Sequence, residues 1–248
     1  MANILLLKKD THCYRIPFLE NFGIKAVITT RAYNMIFEDD DGASDRFKAY
    51  KDIKMNWSDM VCSSQVHGDG VFVVTVAHKG RGSLKRKTAI EATDALVTNN
   101  RRLPLGVLTA DCLPILILGP HKTVIAMIHA GWRGVKDGII SKTIRLMTDR
   151  FNVQASHLLA VMGPSIRCCC YEVGREFCDY FPDFVIQRGQ RTYFDLQAAA
   201  ISQLTACGIG RNMVYDSFIC TSCQNAEFFS YRREGLGAGR TMFAVEMR

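Results

Sequence analysis

Short apolar runs, each closed by turn-forming residues, set the pattern of this chain. Residues 26–30 are rich in β-formers and end at Arg31. Residues 71–77 are β-branched, with Val71, Val73 and Thr75 on one face and Phe72, Val74 and Val76 on the other, which predicts a strand. Residues 105–108, 113–118 and 124–128 are apolar on both faces and are interrupted by Pro114, Gly119 and Pro120. A run with no polar face predicts a strand covered on two sides. Residues 158–162 form another such run, stopped by Gly163-Pro164, and residues 214–220 and 242–247 predict closing strands.

Two segments change period. From Arg133 onward, Val135, Ile139, Ile140, Thr143, Ile144, Met147 and Phe151 recur at helical spacing, with Lys136, Asp137, Lys142 and Arg145 on the opposite face. That spacing predicts one amphipathic helix. Residues 195–207 fit a second helix, with Gly208 as its C′ residue. The acidic stretch 38–41 reads as a loop. Strands and helices mix without strict alternation, so the expected class is α/β (α+β). The expected architecture is a single compact domain over residues 1–248, with mixed β-sheets flanked by helices. No internal repeat or Pro/Gly/Ser-rich linker divides it.

Composition narrows the functional classes. The chain has 248 residues, 48% hydrophobic and 22% charged, which is ordinary for a globular protein with a sizeable core. No apolar run approaches the ~20 residues that span a bilayer. The stretch 4–7 is too short for a secretory signal and no small-residue cleavage site follows it, so the expectation is cytoplasmic with no membrane partner. The net charge of +7 is modest and suits an anionic substrate such as phosphate. The basic stretch 79–87 carries no interleaved stacking aromatic. It reads as a solvated loop, with no nucleic-acid partner expected.

Ten cysteines are many, yet Cys168, Cys169 and Cys170 are consecutive, which does not suit a disulfide framework. They read as reduced residues that pack as small hydrophobes. Cys220 and Cys223 have a C-x-x-C spacing with no second pair of matching spacing, so both read as structural.

The chemistry concentrates where apolar runs end. His67 lies in Gln65-Val66-His67-Gly68, Cys112 in Thr109-Ala110-Asp111-Cys112, and His129 in His129-Ala130-Gly131-Trp132-Arg133-Gly134. His12, His78, His121 and His157 lack such contexts. Two imidazoles and a thiolate form a zinc ligand set that leaves a fourth position open. Without a metal, Cys112 and a histidine make a candidate nucleophile pair. Asp111 suits either acid–base work or turn formation. Arg31, Arg133 and the Arg232-Arg233 pair are the guanidinium groups best placed to grip phosphate. Gly235-Leu236-Gly237-Ala238-Gly239-Arg240 does not match the dinucleotide-binding pattern and leads into a strand.

The stretches SSQVHGDGV, TDALVT, LGVLTADCLPI, IHAGWRGV, GPSIRCCCYEVG, ICT and FFSYRREG, followed by Gly239-Arg240, occur in order from residue 63 to residue 240. Together they resemble the bacterial laccase-domain family, also called multicopper polyphenol oxidase and tied to purine nucleoside phosphorylase activity. The resemblance implies a compact α/β domain with zinc on His67, Cys112 and His129; these three, together with Asp111 from the residue reading above, are the expected catalytic residues. It implies phosphorolysis of adenosine, inosine, guanosine and methylthioadenosine, with adenosine deamination at the same site. Arg31 of Thr29-Thr30-Arg31 corresponds to the family's early TTR arginine. With Gln65, Arg133 and Arg232 it makes the expected substrate-binding set. Family members usually continue TTR with Gly-Gly-Val-Ser and a Leu-Asn-Leu-Gly stretch, and this chain has neither.

The family's older name implies copper oxidation. A coupled copper cluster needs many histidines in His-x-His pairs, and this chain has six histidines and no such pair. The three ligands could hold one Cu2+ but not a cluster. The expected reaction is attack of phosphate on the ribose anomeric carbon, or of water on C6 of adenine with Asp111 as proton shuttle. The partners are then purine nucleosides and inorganic phosphate, and the chain a monomer or homodimer. Two rivals stand beside it. One is a cysteine-type amide hydrolase that edits peptidoglycan precursors, an activity associated with a branch of the same family. The other is a non-catalytic metal-binding protein with a closed four-ligand shell.

Overall fold

Two mixed sheets stack face to face in a computed structural model that describes residues 2–37 and 45–248; the acidic stretch 38–41 lies outside the described residues. The larger sheet runs, edge to edge, Asn3–Ile4, Val214–Asp216, Leu159–Met162, Leu113–Leu118, Ile125–Ala130, Ala95–Thr98 and Val71–Val73. The second runs Lys8–Asp10, Cys13–Arg15, Ile24–Thr29, Thr241–Met247, Leu105–Thr109 and Val61–Cys62. A small third sheet pairs Arg191–Phe194 with Glu172–Val173 and Val185–Arg188.

The wholly apolar runs are explained by this stacking. On Leu113–Leu118, Ile115 and Ile117 pack beneath the helices with Ile139, Ile140 and Leu204. Leu116 and Leu118 alternate to the other side, against Ile28, Val107 and Phe243 of the second sheet. Ile125–Ala130 divides the same way, Ala126 and Ile128 toward the helices, Ile125 and Met127 toward the sheet. The far face of the second sheet, with Val27, Met242 and Ala244, is covered by Ala49, Tyr50 and Ile53 of the helix Asp45–Ile53. The layers are therefore helix, sheet, sheet, helix, the expected mixed-sheet α/β class. Among the described residues, no helix is long and apolar enough to cross a membrane.

Three elements differ from their sequence expectation. The strand at Val71 pairs in parallel with Ala95–Thr98, but that partner is four residues long. Beyond Val73 the ladder runs out and the chain curls into a 3₁₀ turn, Val76–His78, closed by the Thr75 N–H donating to His78 Nδ1 at 3.0 Å. The strand at Val214 stops at Asp216, whose carboxylate takes the Phe218 N–H at 2.9 Å and turns the chain away. The helix expected from Arg133 is two, Trp132–Lys136 and Ile139–Phe151, broken at Gly138 with φ +85°. Gly138→Ala should therefore lower stability by about 1–2 kcal/mol in urea unfolding, because a Cβ disfavours that left-handed conformation. Leu196–Ala206 forms as expected, with Asp195 accepting the Ala198 N–H at 2.9 Å and Gly208 at φ +99° beyond its end.

Candidate active site

The turn at Cys112 is where the chain leaves one sheet for the other, from Leu105–Thr109 of the second sheet to Leu113–Leu118 of the first. His129 sits near the end of Ile125–Ala130, directly opposite Pro114 across an antiparallel ladder. His67 belongs to the loop before Val71–Val73 and adopts a left-handed backbone, φ +61°. The donor atoms of His67, Cys112 and His129 all lie within 4.8 Å of one another. The two imidazole rings meet edge to face at 4.9 Å between centroids. A Cβ on Gly131 would stand 3.2 Å from the Cys112 sulfur and 3.3 Å from His67 Cδ2, so that position leaves little room for any side chain.

One residue outside the expected set organises these three. Asp94, fully buried just before Ala95–Thr98, accepts the backbone N–H groups of Val66, His67 and Gly68 at 3.0–3.1 Å. The left-handed turn at His67 lets three successive N–H groups converge on one carboxylate, an anion nest. The same carboxylate takes His129 Nδ1–H at 2.8 Å. That bond fixes the tautomer and leaves Nε2 for a metal ion or for Cys112, the usual arrangement of a metal-ligating histidine. Burial alone would raise the Asp94 pKa; the His129 and backbone donors outweigh it and hold the group lowered, hence ionised.

Charge balance in the site follows. Burial disfavours a Cys112 thiolate, but His129 and His67 overcome it and lower the thiol to about 6. Burial likewise opposes protonation of His129, yet Cys112 and Asp94 raise it to about 9. A thiolate and two imidazoles so close together fit a soft or borderline metal cation. Three protein ligands leave a coordination position for water or substrate.

Asp111 has another task. Its backbone is left-handed, φ +84°. One carboxylate oxygen accepts the Thr221 hydroxyl at 2.6 Å; the other accepts the Ser230 hydroxyl at 3.1 Å and the Arg232 N–H at 2.7 Å. These bonds pin the Cys112 turn to two distant loops. The geometry favours the turn-forming role of Asp111 over proton transfer.

The three candidate ligands line a cavity of about 1170 Å³, large enough for a nucleoside and an anion together. Arg133 and Arg232 line it as expected, Arg133 stacked on Trp132 at 4.4 Å. Arg232 donates to the Glu172 carbonyl at 2.6 Å. Gln65 reaches the wall, but its amide is engaged at both ends with the Leu108 backbone, at 2.7 and 2.8 Å. It positions the strand end rather than offering a free group. Arg31 does not line the cavity. It pairs with Glu234 at 3.1 Å and lies over Phe229, while Glu234 accepts the Ser230 N–H at 2.9 Å. Arg31 thus braces Glu234, which holds Ser230, the residue that braces Asp111.

Sequence reasoning missed Asp94, Tyr171, Arg86 and Arg240, of which the last three also line the cavity. Asp94 lies inside TDALVT, and its position before a buried strand was the available signal. Arg86 belongs to the basic stretch read as solvated, and nothing local distinguishes it from its neighbours.

The family profile described as multi-copper polyphenol oxidoreductase laccase matches residues 34–248. "Purine nucleoside phosphorylase YlmD" of Geobacillus stearothermophilus is 33% identical over 198 residues, 76% of this chain and 72% of that protein. "Adenosine deaminase RL5", from an unknown prokaryotic organism, is 33% identical over 196 residues, 75% of this chain and 74% of that one. The crystal structure of the Geobacillus YlmD superposes with a TM-score of 0.90 at 27% identity, covering 99% of both chains. On this profile and this fold, the chain belongs to the multi-copper polyphenol oxidoreductase laccase family.

Proposed function

We propose that this protein is a zinc-dependent purine nucleoside phosphorylase that also deaminates adenosine. One observation carries the reading: His67, Cys112 and His129 converge at a large cavity walled by arginines and aromatic rings. The names of its relatives support the same substrates. A zinc ion held by these three side chains would supply Lewis acidity and render water nucleophilic near neutral pH.

The chain's own groups do the rest. Arg133 and Arg232 hold inorganic phosphate by charge-assisted hydrogen bonds. Trp132 and Tyr171, which carry Arg133 and Arg232 over their rings, form the aromatic part of the wall that a flat purine would meet. A phosphate oxygen attacks C1′ of the ribose, the C1′–N9 bond breaks, and its electron pair leaves on the purine, which takes up the proton given up by the attacking dihydrogen phosphate. Asp94 keeps His129 oriented throughout and holds the His67 loop closed around its carboxylate.

Incubation of metal-replete protein with adenosine and phosphate is expected to yield ribose 1-phosphate and adenine, with inosine and hypoxanthine from deamination. Absence of any turnover overturns the proposal. A second reading has its own observation, since Asp94, His129 and Cys112 stand in the order of an orienter, base and nucleophile. For a cysteine amide hydrolase, metal-free protein stays active and a covalent adduct forms on Cys112. The phosphorylase reading expects activity to vanish with a chelator and to return with zinc.

A further inference from the structure

The fold supplies what the C-x-x-C spacing lacks along the chain. Cys169 and Cys170, some fifty residues upstream of Cys220 and Cys223, come to meet them, and the four sulfurs all lie within 4.8 Å of one another. Cys169 Sγ is 3.7 Å and Cys170 Sγ 3.4 Å from Cys223 Sγ. A tetrahedral shell with zinc–sulfur bonds of ~2.3 Å sets its sulfurs about 3.8 Å apart. The fold thus brings together four cysteines that the sequence leaves as separate packing residues. A packing cysteine is buried, as Cys13 and Cys62 are here, whereas Cys169 and Cys223 are exposed.

We propose that Cys169, Cys170, Cys220 and Cys223 bind one thiophilic divalent cation, zinc, in a closed four-sulfur site distinct from His67, Cys112 and His129.

The backbone around the four sulfurs is built to hold them. The turn carrying Cys169 is closed by the Cys170 and Tyr171 N–H groups, both donating to the Arg167 carbonyl at 2.8 Å. The Cys220 segment is bridged to Ser165 by Thr221 N–H and Ser165 N–H, at 3.1 and 3.2 Å. Arg167 locks onto Asp216 through two bonds at 2.9 and 3.0 Å, fixing one loop against the strand that leads to the other. Four thiolates on a divalent ion leave a dianion. Arg233, donating to the Ser222 carbonyl at 2.8 Å, sets a positive charge on the same loop.

Four protein ligands leave no open position, so this ion does no chemistry of its own. Its effect is to staple two loops that build the cavity. Thr221, next to Cys220, holds Asp111, and Tyr171 and Glu172, following Cys170, form the wall that Arg232 grips.

The test does not depend on the proposed reaction. Protein stripped by a chelator under reducing conditions is titrated with zinc alone and its metal content measured. His67→Ala/His129→Ala, which lacks the first ligand set, is expected to retain one tightly bound zinc per chain. X-ray absorption on that variant should show only sulfur neighbours, at ~2.3 Å. Cys169→Ser/Cys223→Ser should take up one equivalent fewer than the unaltered protein, while Cys178→Ser takes up the same amount. If the double cysteine variant fails to fold, Cys223→Ala is expected to weaken zinc binding at least tenfold in the His67→Ala/His129→Ala background. The proposal is overturned if the folded His67→Ala/His129→Ala protein binds no zinc, or if its zinc shows nitrogen or oxygen neighbours. A disulfide within the group, recovered by peptide mapping of protein alkylated at lysis, overturns it equally.

Discussion

Asp94→Ala is expected to weaken metal binding and turnover by about 10–100-fold and to lower stability by roughly 3–5 kcal/mol. The carboxylate is buried and meets four donors at once: Val66, His67 and Gly68 N–H, and His129 Nδ1–H. Removal leaves these donors without their acceptor, and for the buried His129 an unsatisfied donor costs about 1–3 kcal/mol. It also frees the His129 ring to turn and releases the His67 loop, so two of three candidate ligands lose their aim together. Asp94→Asn is nearly as harmful, because its amide presents N–H to groups that are themselves donors. Urea unfolding, zinc titration and turnover on the same preparation test this. Wild-type metal affinity in folded Asp94→Ala would show that the nest does not position the ligands.

Asp111→Ala should lower stability by about 3–5 kcal/mol and abolish most activity. Two causes add. The Thr221 and Ser230 hydroxyls and the Arg232 N–H lose their acceptor. Alanine must also hold φ near +84°, a conformation costing it about 1–2 kcal/mol. Asp111→Asn separates anchoring from proton transfer, since its amide oxygen can still accept from part of this set. An anchoring Asp111 predicts a partly active, less stable Asp111→Asn enzyme whose pH–rate profile keeps the unaltered shape. If Asp111 moves the proton, Asp111→Asn unfolds at nearly the normal urea concentration and its rate loses one limb of the profile.

Much of the scaffold was legible because burial on both faces leaves a local record. The runs at 105–108, 113–118, 124–128 and 158–162 are strands, displaced by a residue or two. Leu196–Ala206 carries its own start and stop signals in Asp195 and Gly208. The strand at Val71 was overextended because β-branched composition does not reveal how long the partner strand is. Gly138 breaks a helix whose apolar period continues through it, since period reports burial and not backbone handedness.

By itself the sequence determined the doubly apolar runs that become strands covered on two sides and the placing of His67, Cys112 and His129 at the ends of such runs. Those follow from neighbours along the chain. Only the tertiary structure decided that Asp94 joins the His67 loop to His129, that Arg31 braces a wall instead of entering the cavity, and that Arg86 reaches it. It also decided that Cys169 and Cys170 meet Cys220 and Cys223. The reason is that a hydrogen bond or ligand set between distant segments depends on how sheets and loops pack, and no local pattern of polarity encodes that distance.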